Sequence, residues 1–327
     1  MRAALFLWGG LVVFGCGAVA SGRPGAGLGE KIPVILDTDI GDDIDDTWAL
    51  AMLLKSPQLD PKLVTTTCGK SEYRAKLVAR LLEVARRTDI PVGLGAGGKG
   101  GTGRQQAWVK DYDLGKFPGK VHEDGVQAMI DVVMKSPVPV TILGIGPNHT
   151  VAAALEREPG MAARAVFVGM QGAVRKGYDG GKVCPEYNVK AAVAPSKKVL
   201  GAPWRECVIT PLDTCGLVRL RGPRFQAVAD CADPLVQALM ENYRIWAKKE
   251  TVKESSVLFD TVAIYLAYPG PKPLLEMEDL KISVTDQGLT VVDEAGARMS
   301  VATNWKNLDG YYDLLVEVLT GKKPGAQ

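Results

Sequence analysis

The run Ile35-Leu36-Asp37-Thr38-Asp39-Ile40-Gly41-Asp42-Asp43-Ile44-Asp45-Asp46-Thr47-Trp48-Ala49-Leu50 constrains this chain more than any other. Six carboxylates fall within ten residues, between an apolar stretch and an amphipathic one. So many like charges repel one another unless something positive sits among them. A solvated acidic turn is the plain alternative, but such turns rarely follow a strand so directly. Carboxylates placed where a strand ends and a helix begins occupy the usual ligand position of open α/β sheets. An oxygen-rich cage of this kind suits a hard divalent cation, Ca²⁺ or Mg²⁺. The stretch reads as a metal site.

The rest of the chain repeats the same strand-then-helix pattern. Val34 to Leu36 is a short apolar strand and Thr47 to Lys55 a helix. Leu63 to Cys68 is β-rich, and Ser71 to Thr88 carries Tyr73, Leu77, Leu81 and Val84 at helical spacing, with arginines and lysines assigned to the other face. Pro91 to Ala96 is strand-like and runs into a glycine-rich loop, Gly97 to Gly103, without the spacing of a phosphate-binding P-loop. Further strands are expected at Val138 to Gly146, Ala165 to Met170 and Val208 to Leu212. Helices are expected at Asp124 to Lys135, Thr150 to Arg157 with Asn148 as N-cap, Pro234 to Lys249, Asp260 to Ala267 and Asp309 to Leu319. Asp286-Gln287-Gly288 marks a hairpin between Leu280 to Val284 and Leu289 to Asp293. These units predict an α/β, Rossmann-like fold: a mostly parallel central sheet, made mixed by the hairpin, with helices on both faces.

At 327 residues with 46% hydrophobic content, the chain has ample material for a core. A formal net charge of +2 argues against a dedicated nucleic-acid binder, which would normally carry a marked basic excess. Arg2, the apolar run Ala3 to Val13 and the small-x-small site Ala18-Val19-Ala20 read as an export signal over residues 1–20, too short for a transmembrane span. A flexible leader over residues 21–30 and one domain over residues 31–322 follow. The product is exported, to a periplasm or the extracellular space, either free or lipid-anchored through Cys16. Five later cysteines, odd in number and widely spaced, form neither a disulfide framework nor a zinc signature. The sequence leaves a homo-oligomer open.

Beyond the acidic cluster, chemistry concentrates at three places: Leu143-Gly144-Ile145-Gly146-Pro147-Asn148, the element Glu186-Tyr187-Asn188, and Asp260, a lone acid in apolar sequence. By spacing alone Asp260 is more simply a helix N-cap than a buried ligand. In this order the residues resemble the nucleoside hydrolase family, the inosine/uridine-preferring nucleoside hydrolases. Its opening pattern Asp-x-Asp-Pro-Gly-x-Asp-Asp-Ala-x-Ala-Leu is matched by Asp37-Thr38-Asp39-Ile40-Gly41 and Ile44-Asp45-Asp46-Thr47-Trp48-Ala49-Leu50, with Asp42-Asp43 as an insertion and Ile40 in place of proline. The likeness continues through Val64-Thr65-Thr66, Arg87 to Val92, Gly144 to Pro147, Glu186 to Val189 and Pro211-Leu212-Asp213. It implies a nucleoside hydrolase fold, Ca²⁺ as cofactor, and a nucleoside or other ribosyl compound as the small-molecule substrate. It further implies hydrolysis of the N-glycosidic bond to ribose and free base. Carried over, Asp39, Asp46, the main-chain carbonyl of Ile145 and Asp260 would hold calcium, Asp39 acting also as general base on the attacking water. Asp45, Glu186 and Asn188 would bind the sugar.

The chain departs from the family on the leaving-group side. Phe259 stands where many members carry a histidine, Lys70 where they have an early asparagine, and Ala192 where they have an aspartate; His122 aligns one residue off an early pocket histidine. Phe259, His122 and Tyr187 are therefore the residues assigned to that side, with Tyr178 or solvent as other sources of leaving-group activation. Two other functions compete. One is a ribose- or nucleoside-binding protein that kept the metal and lost catalysis. The other is a haloacid-dehalogenase-like phosphatase, suggested by Asp37-x-Asp39, although Gly41 stands where that family needs a threonine or valine.

Overall fold

The computed structural model describes residues 30–97, 101–268, 270 and 272–323. The chain divides into Met1–Glu30, of which only the exposed Glu30 is described, and the compact unit Lys31–Gln327. The export segment, Cys16 and the leader to residue 29 thus lie outside the described residues. The compact unit opens with β1 (Ile32–Thr38), α1 (Asp45–Lys55), β2 (Leu59–Thr66), α2 (Ser71–Val84), β3 (Val92–Gly93) and β4 (Val121–His122). It continues through α3 (Gly125–Lys135), β5 (Val140–Gly144), α4 (His149–Arg157), β6 (Ala165–Met170), α5 (Tyr187–Ala191), α6 (Val193–Leu200) and β7 (Glu206–Thr210). The last third holds α7 (Gly222–Ala229), α8 (Pro234–Ala247), α9 (Thr261–Leu266), β8 (Leu275–Val284), β9 (Thr290–Val292), β10 (Ala297–Trp305) and α10 (Leu308–Thr320).

The strands form one sheet in the order β4-β3-β2-β1-β5-β6-β7-β10-β8-β9. Pairing is parallel from β4 through to β10, and antiparallel where β8 meets β10 and β9 meets β8. The mixed, mostly parallel α/β sheet expected from the pattern is present. Strand β1 shows why both faces are covered. Val34 and Leu36 join Trp48, Leu50, Leu77 and Val262 in one core, while Ile35 joins Val126, Met129 and Val151 in the other. A period of two sends alternate side chains to opposite faces, and both sets are fully buried.

The chain leaves β1 toward β2, β3 and β4, then returns to place β5 on the other flank of β1. The connections diverge between β1 and β5, so their C-terminal ends open a crevice. Register sets Asp37 beside Gly144 there, which brings Asp39 and Ile145, just past the strand ends, to the same edge.

Three expectations need correction. Asn148 does not cap α4 with its side chain; its Nδ2 donates instead to Gln171 Oε1 (3.0 Å) and Ser196 Oγ (3.3 Å). Arg74 is not on the solvated face of α2. It is fully buried, because it sits three, four and seven residues before Leu77, Val78 and Leu81 and so shares their side of the helix. Strand β10, absent from the sequence reading, separates β7 from the hairpin, which therefore joins the sheet through β10. Among the described residues no helix is long and apolar enough to cross a membrane, and Cys68, Cys184, Cys207, Cys215 and Cys231 form no disulfide.

Candidate active site

Helix α1 starts at Asp45, so Asp45 and Asp46 occupy its first turn, where unpaired amides and the helix dipole favour negative charge. Asp260 sits at the N-cap position of α9 but makes no side-chain cap. It turns instead toward Asp45 and Asp46. Asp45, Asp46 and Asp260 are all buried and bring one carboxylate oxygen each within 4.8 Å of one another. Burial drives all three well above the usual carboxylate range, and neighbouring carboxylates add to it: Asp43 and Asp39 for Asp45, Asp39 and Asp45 for Asp46, Asp45 and Asp46 for Asp260. Thr38 Oγ1 donates to Asp46 Oδ1 at 2.5 Å and takes the Ile40 amide at 3.1 Å, which fixes the strand exit under the helix. Three buried, converging hard oxygen donors fit a divalent cation, since a cation offsets both the burial cost and the repulsion.

Asp39 lies beside this trio rather than within it. Its Oδ1 faces Gly146, where a Cβ would stand 2.7 Å away. Burial lifts its carboxyl to about 7, against the pull of Arg74 and with a further push from Asp42 and Glu186. An alanine at position 146 would also meet Thr67 Cγ2 at 2.8 Å and the Asp39 amide at 2.9 Å. Gly146→Ala is therefore expected to cost about 1–3 kcal/mol of stability by overpacking. Displacing Asp39 should also lower turnover by up to about 10²-fold. Thermal unfolding together with a steady-state rate checks both, and an unchanged rate would detach Asp39 from this contact.

The Ile145 carbonyl accepts Asn188 Nδ2 at 3.0 Å, and the same amide reaches the Met170 carbonyl at 3.1 Å. A carbonyl oxygen has two lone pairs, so this bond aims the group and leaves one acceptor site for a cation. Glu186 caps α5: its carboxylate takes the amides of Asn188 (2.7 Å), Val189 (3.2 Å) and Gly172 (3.0 Å). Burial raises Glu186 in spite of these bonds. With two backbone amides on Oε2 and one on Oε1, it is first a staple for the loop after β6, and one lone pair remains for a hydroxyl.

On the outer side the Tyr178 ring meets Phe259 edge-on, with centroids 6.0 Å apart, and the Tyr178 hydroxyl accepts the Tyr187 amide at 3.1 Å. Tyr178 and Tyr187 are both exposed. Tyr178 thus bridges Phe259, which precedes Asp260 in the chain, and the backbone of Tyr187. His122 is not brought to them: it ends β4, three strands from β1, about 14 Å at the usual spacing.

Sequence reasoning missed the cation that holds the acidic loop together. Arg74 donates from Nη1 to the carbonyls of Ile40 (2.8 Å) and Asp39, from Nε to Cys68 (2.8 Å), and from Nη2 to Asp42 Oδ2 (2.8 Å). The other oxygen of Asp42 accepts the amides of Thr102 and Gly103. Burial works against the charge, but Arg74 and these amides hold Asp42 below the usual carboxylate range. The inserted Asp42 therefore ties the glycine-rich loop to the acid cluster. Gln105 Nε2 reaches the Asp43 carbonyl at 3.3 Å, so the second inserted residue is pinned as well. An arginine on the apolar stripe of α2 was the available signal.

The sequence pattern of the inosine-uridine preferring nucleoside hydrolases matches residues 34–313. A pyrimidine-specific ribonucleoside hydrolase RihA from Salmonella agona is 27% identical over 237 residues, 67% of this chain and 73% of that protein. The fold is shared with a plant nucleoside hydrolase, PpNRh1 (TM-score 0.74, 20% identity, 89% of this chain and 99% of that one). It is shared equally with a purine-preferring ribonucleoside hydrolase from Gardnerella vaginalis (TM-score 0.72, 19% identity, 88% and 98%). With its carboxylates gathered at the β1/β5 crevice and that match over most of its length, the chain belongs to the inosine-uridine preferring nucleoside hydrolase family, hydrolases that cleave the N-glycosidic bond of nucleosides.

Proposed function

We propose that this chain is a Ca²⁺-dependent N-ribohydrolase that releases ribose and free base, and that Asp39 deprotonates the attacking water. The observation that carries this reading is the convergence of Asp45, Asp46 and Asp260 beside Asp39. Asp46 and Asp260 of that trio, joined by Asp39 from beside it and by the Ile145 carbonyl, would hold the ion, an all-oxygen set of the kind calcium takes, which leaves Asp45 for the sugar. When bound, the ion supplies a Lewis acid that makes water acidic near neutral pH. Asp39, a buried carboxylate beside the trio, would take that proton. Asp45 would take a ribose hydroxyl, with Glu186 and Asn188 orienting the sugar. Hydroxyl contacts of this kind strengthen as the ribosyl carbon gains positive charge. On the leaving-group side Phe259 and Tyr178 form an apolar, aromatic wall, with Tyr187 exposed beside it. The export signal at residues 1–20 makes the site of action periplasmic or extracellular in this proposal.

A reducing-sugar assay over a nucleoside panel, with and without a calcium chelator, tests the reading. Release of ribose that falls by at least a hundredfold on chelation, and returns with added calcium, is the expected result. Calcium-dependent ribose binding with no sugar released from any nucleoside would replace the hydrolase with a binding protein.

A further inference from the structure

The Cys68-Gly69 turn that ends β2 has the acid cluster on one side. The Cys68 carbonyl accepts Arg74 Nε at 2.8 Å while Arg74 Nη1 holds the Asp39 carbonyl, and the Tyr73 hydroxyl donates to Gly41 in the acidic loop at 3.0 Å. Along the same turn lies a cavity of about 580 Å³, whose lining includes Lys70, Lys76 and Lys110 with one acid, Glu72, and the polar groups of Tyr73 and Gln106. That volume is in the range of small-molecule sites. Three lysines line it from three elements: Lys70 from the turn before α2, Lys76 from the helix itself, and Lys110 from the end of the short 3₁₀ turn Gln106–Val109. Only Lys76 has an ion pair, with Glu72 at 2.9 Å; Lys70 and Lys110 have none among the described residues. Lys70 Nζ is folded against Gly103, on the loop that Asp42 ties down, so its position is coupled to the acid cluster.

An uncharged nucleoside gives such a cavity nothing to neutralise. Like charges brought together around a concave space raise the local potential and favour an anion. We propose that the substrates of this chain carry an anionic group, a phosphate or a carboxylate, held by Lys70, Lys76 and Lys110 while the ribosyl group sits at the acid cluster. This rests on the hydrolase reading above, and the reaction is unchanged. The bond from the ribosyl carbon to nitrogen breaks, water gives its hydroxyl to that carbon, and its proton goes to the departing base.

The test uses the full chain with calcium and three compounds: uridine, uridine 5′-monophosphate with its charge on the ribose, and orotidine with its charge on the base. Calorimetry at low salt should give at least tenfold tighter binding for one charged compound than for uridine, and the compound that gains identifies the group. In the double variant Lys76→Gln/Lys110→Gln that gain should be lost, while uridine binding changes by less than twofold. Equal binding of all three compounds, or a gain that survives the double variant, overturns the proposal. Charged-compound binding that depends on the lysines, with no sugar released from any compound, would keep the cavity and sink the hydrolase reading instead.

Discussion

Asp39→Asn is expected to lower the turnover of nucleosides by about 10²–10⁴-fold, the usual worth of a positioned general base. The amide keeps the shape of the side chain, so its packing against Gly146 is kept. The substitution also removes one charge from a buried set in which Asp45, Asp46 and Asp260 already repel one another. Thermal stability without calcium should accordingly stay level or rise while the rate collapses. Because Asp39 lies beside the carboxylate trio, calcium affinity should fall less than in Asp46→Asn, whose oxygen is in the cluster and bound to Thr38. Single-turnover rates and calcium calorimetry on both variants separate the two roles. A loss of turnover below tenfold in Asp39→Asn would exclude it as the base.

Arg74→Met should destabilise the chain by about 3–5 kcal/mol, the cost of removing one partner from a buried ion pair. Arg74 is fully buried, and three of its nitrogens bond three carbonyls and a carboxylate. Without it, Asp42 remains partly buried beside Asp39 and Asp43 with only the loop amides and the Thr102 hydroxyl to hold it. Arg74→Lys should recover only part of the loss, since an ammonium cannot reproduce the fork of the guanidinium. Adding Asp42→Asn to Arg74→Met should restore some stability, because the stranded charge is then gone. Urea unfolding of the parent and the three variants measures these terms. An Arg74→Met midpoint equal to that of the parent would mean that the arginine holds nothing.

Much of this was legible in the chain itself. The apolar run ending at Asp37 and the acids before Trp48 predicted a strand, a turn and a helix, and the structure builds β1, the turn and α1 from them. Helix α1 begins at Asp45 rather than Thr47, which moves Asp45 and Asp46 from the turn into the first helical turn. Strands β4 and β10 were not legible for physical reasons. β4 is two residues long, too short for any period to show. β10 (Ala297–Trp305) carries few large apolar side chains, and the burial of Met299 and Val301 comes from neighbours distant in sequence. His122 illustrates the limit of alignment by order: its place in the chain suggested the pocket, but β4 lies at the sheet edge.

The sequence by itself determined the chemistry available: six acids in ten residues, an amide after Glu186, a lone Asp260 and, at the end of β5, a carbonyl in Gly144-Ile145-Gly146. It also determined the alternation that makes an α/β sheet, because period and propensity act over a few neighbouring residues. Only the tertiary structure decided which acids meet. Asp260 reads locally as a helix cap, yet packing of α9 against α1 turns it onto Asp45, more than two hundred residues earlier. Arg74 reads as one cation among several, yet burial of its helix face makes it the positive charge that the acidic loop needs. Both outcomes turn on desolvation, which depends on what surrounds a group in space rather than on its neighbours along the chain.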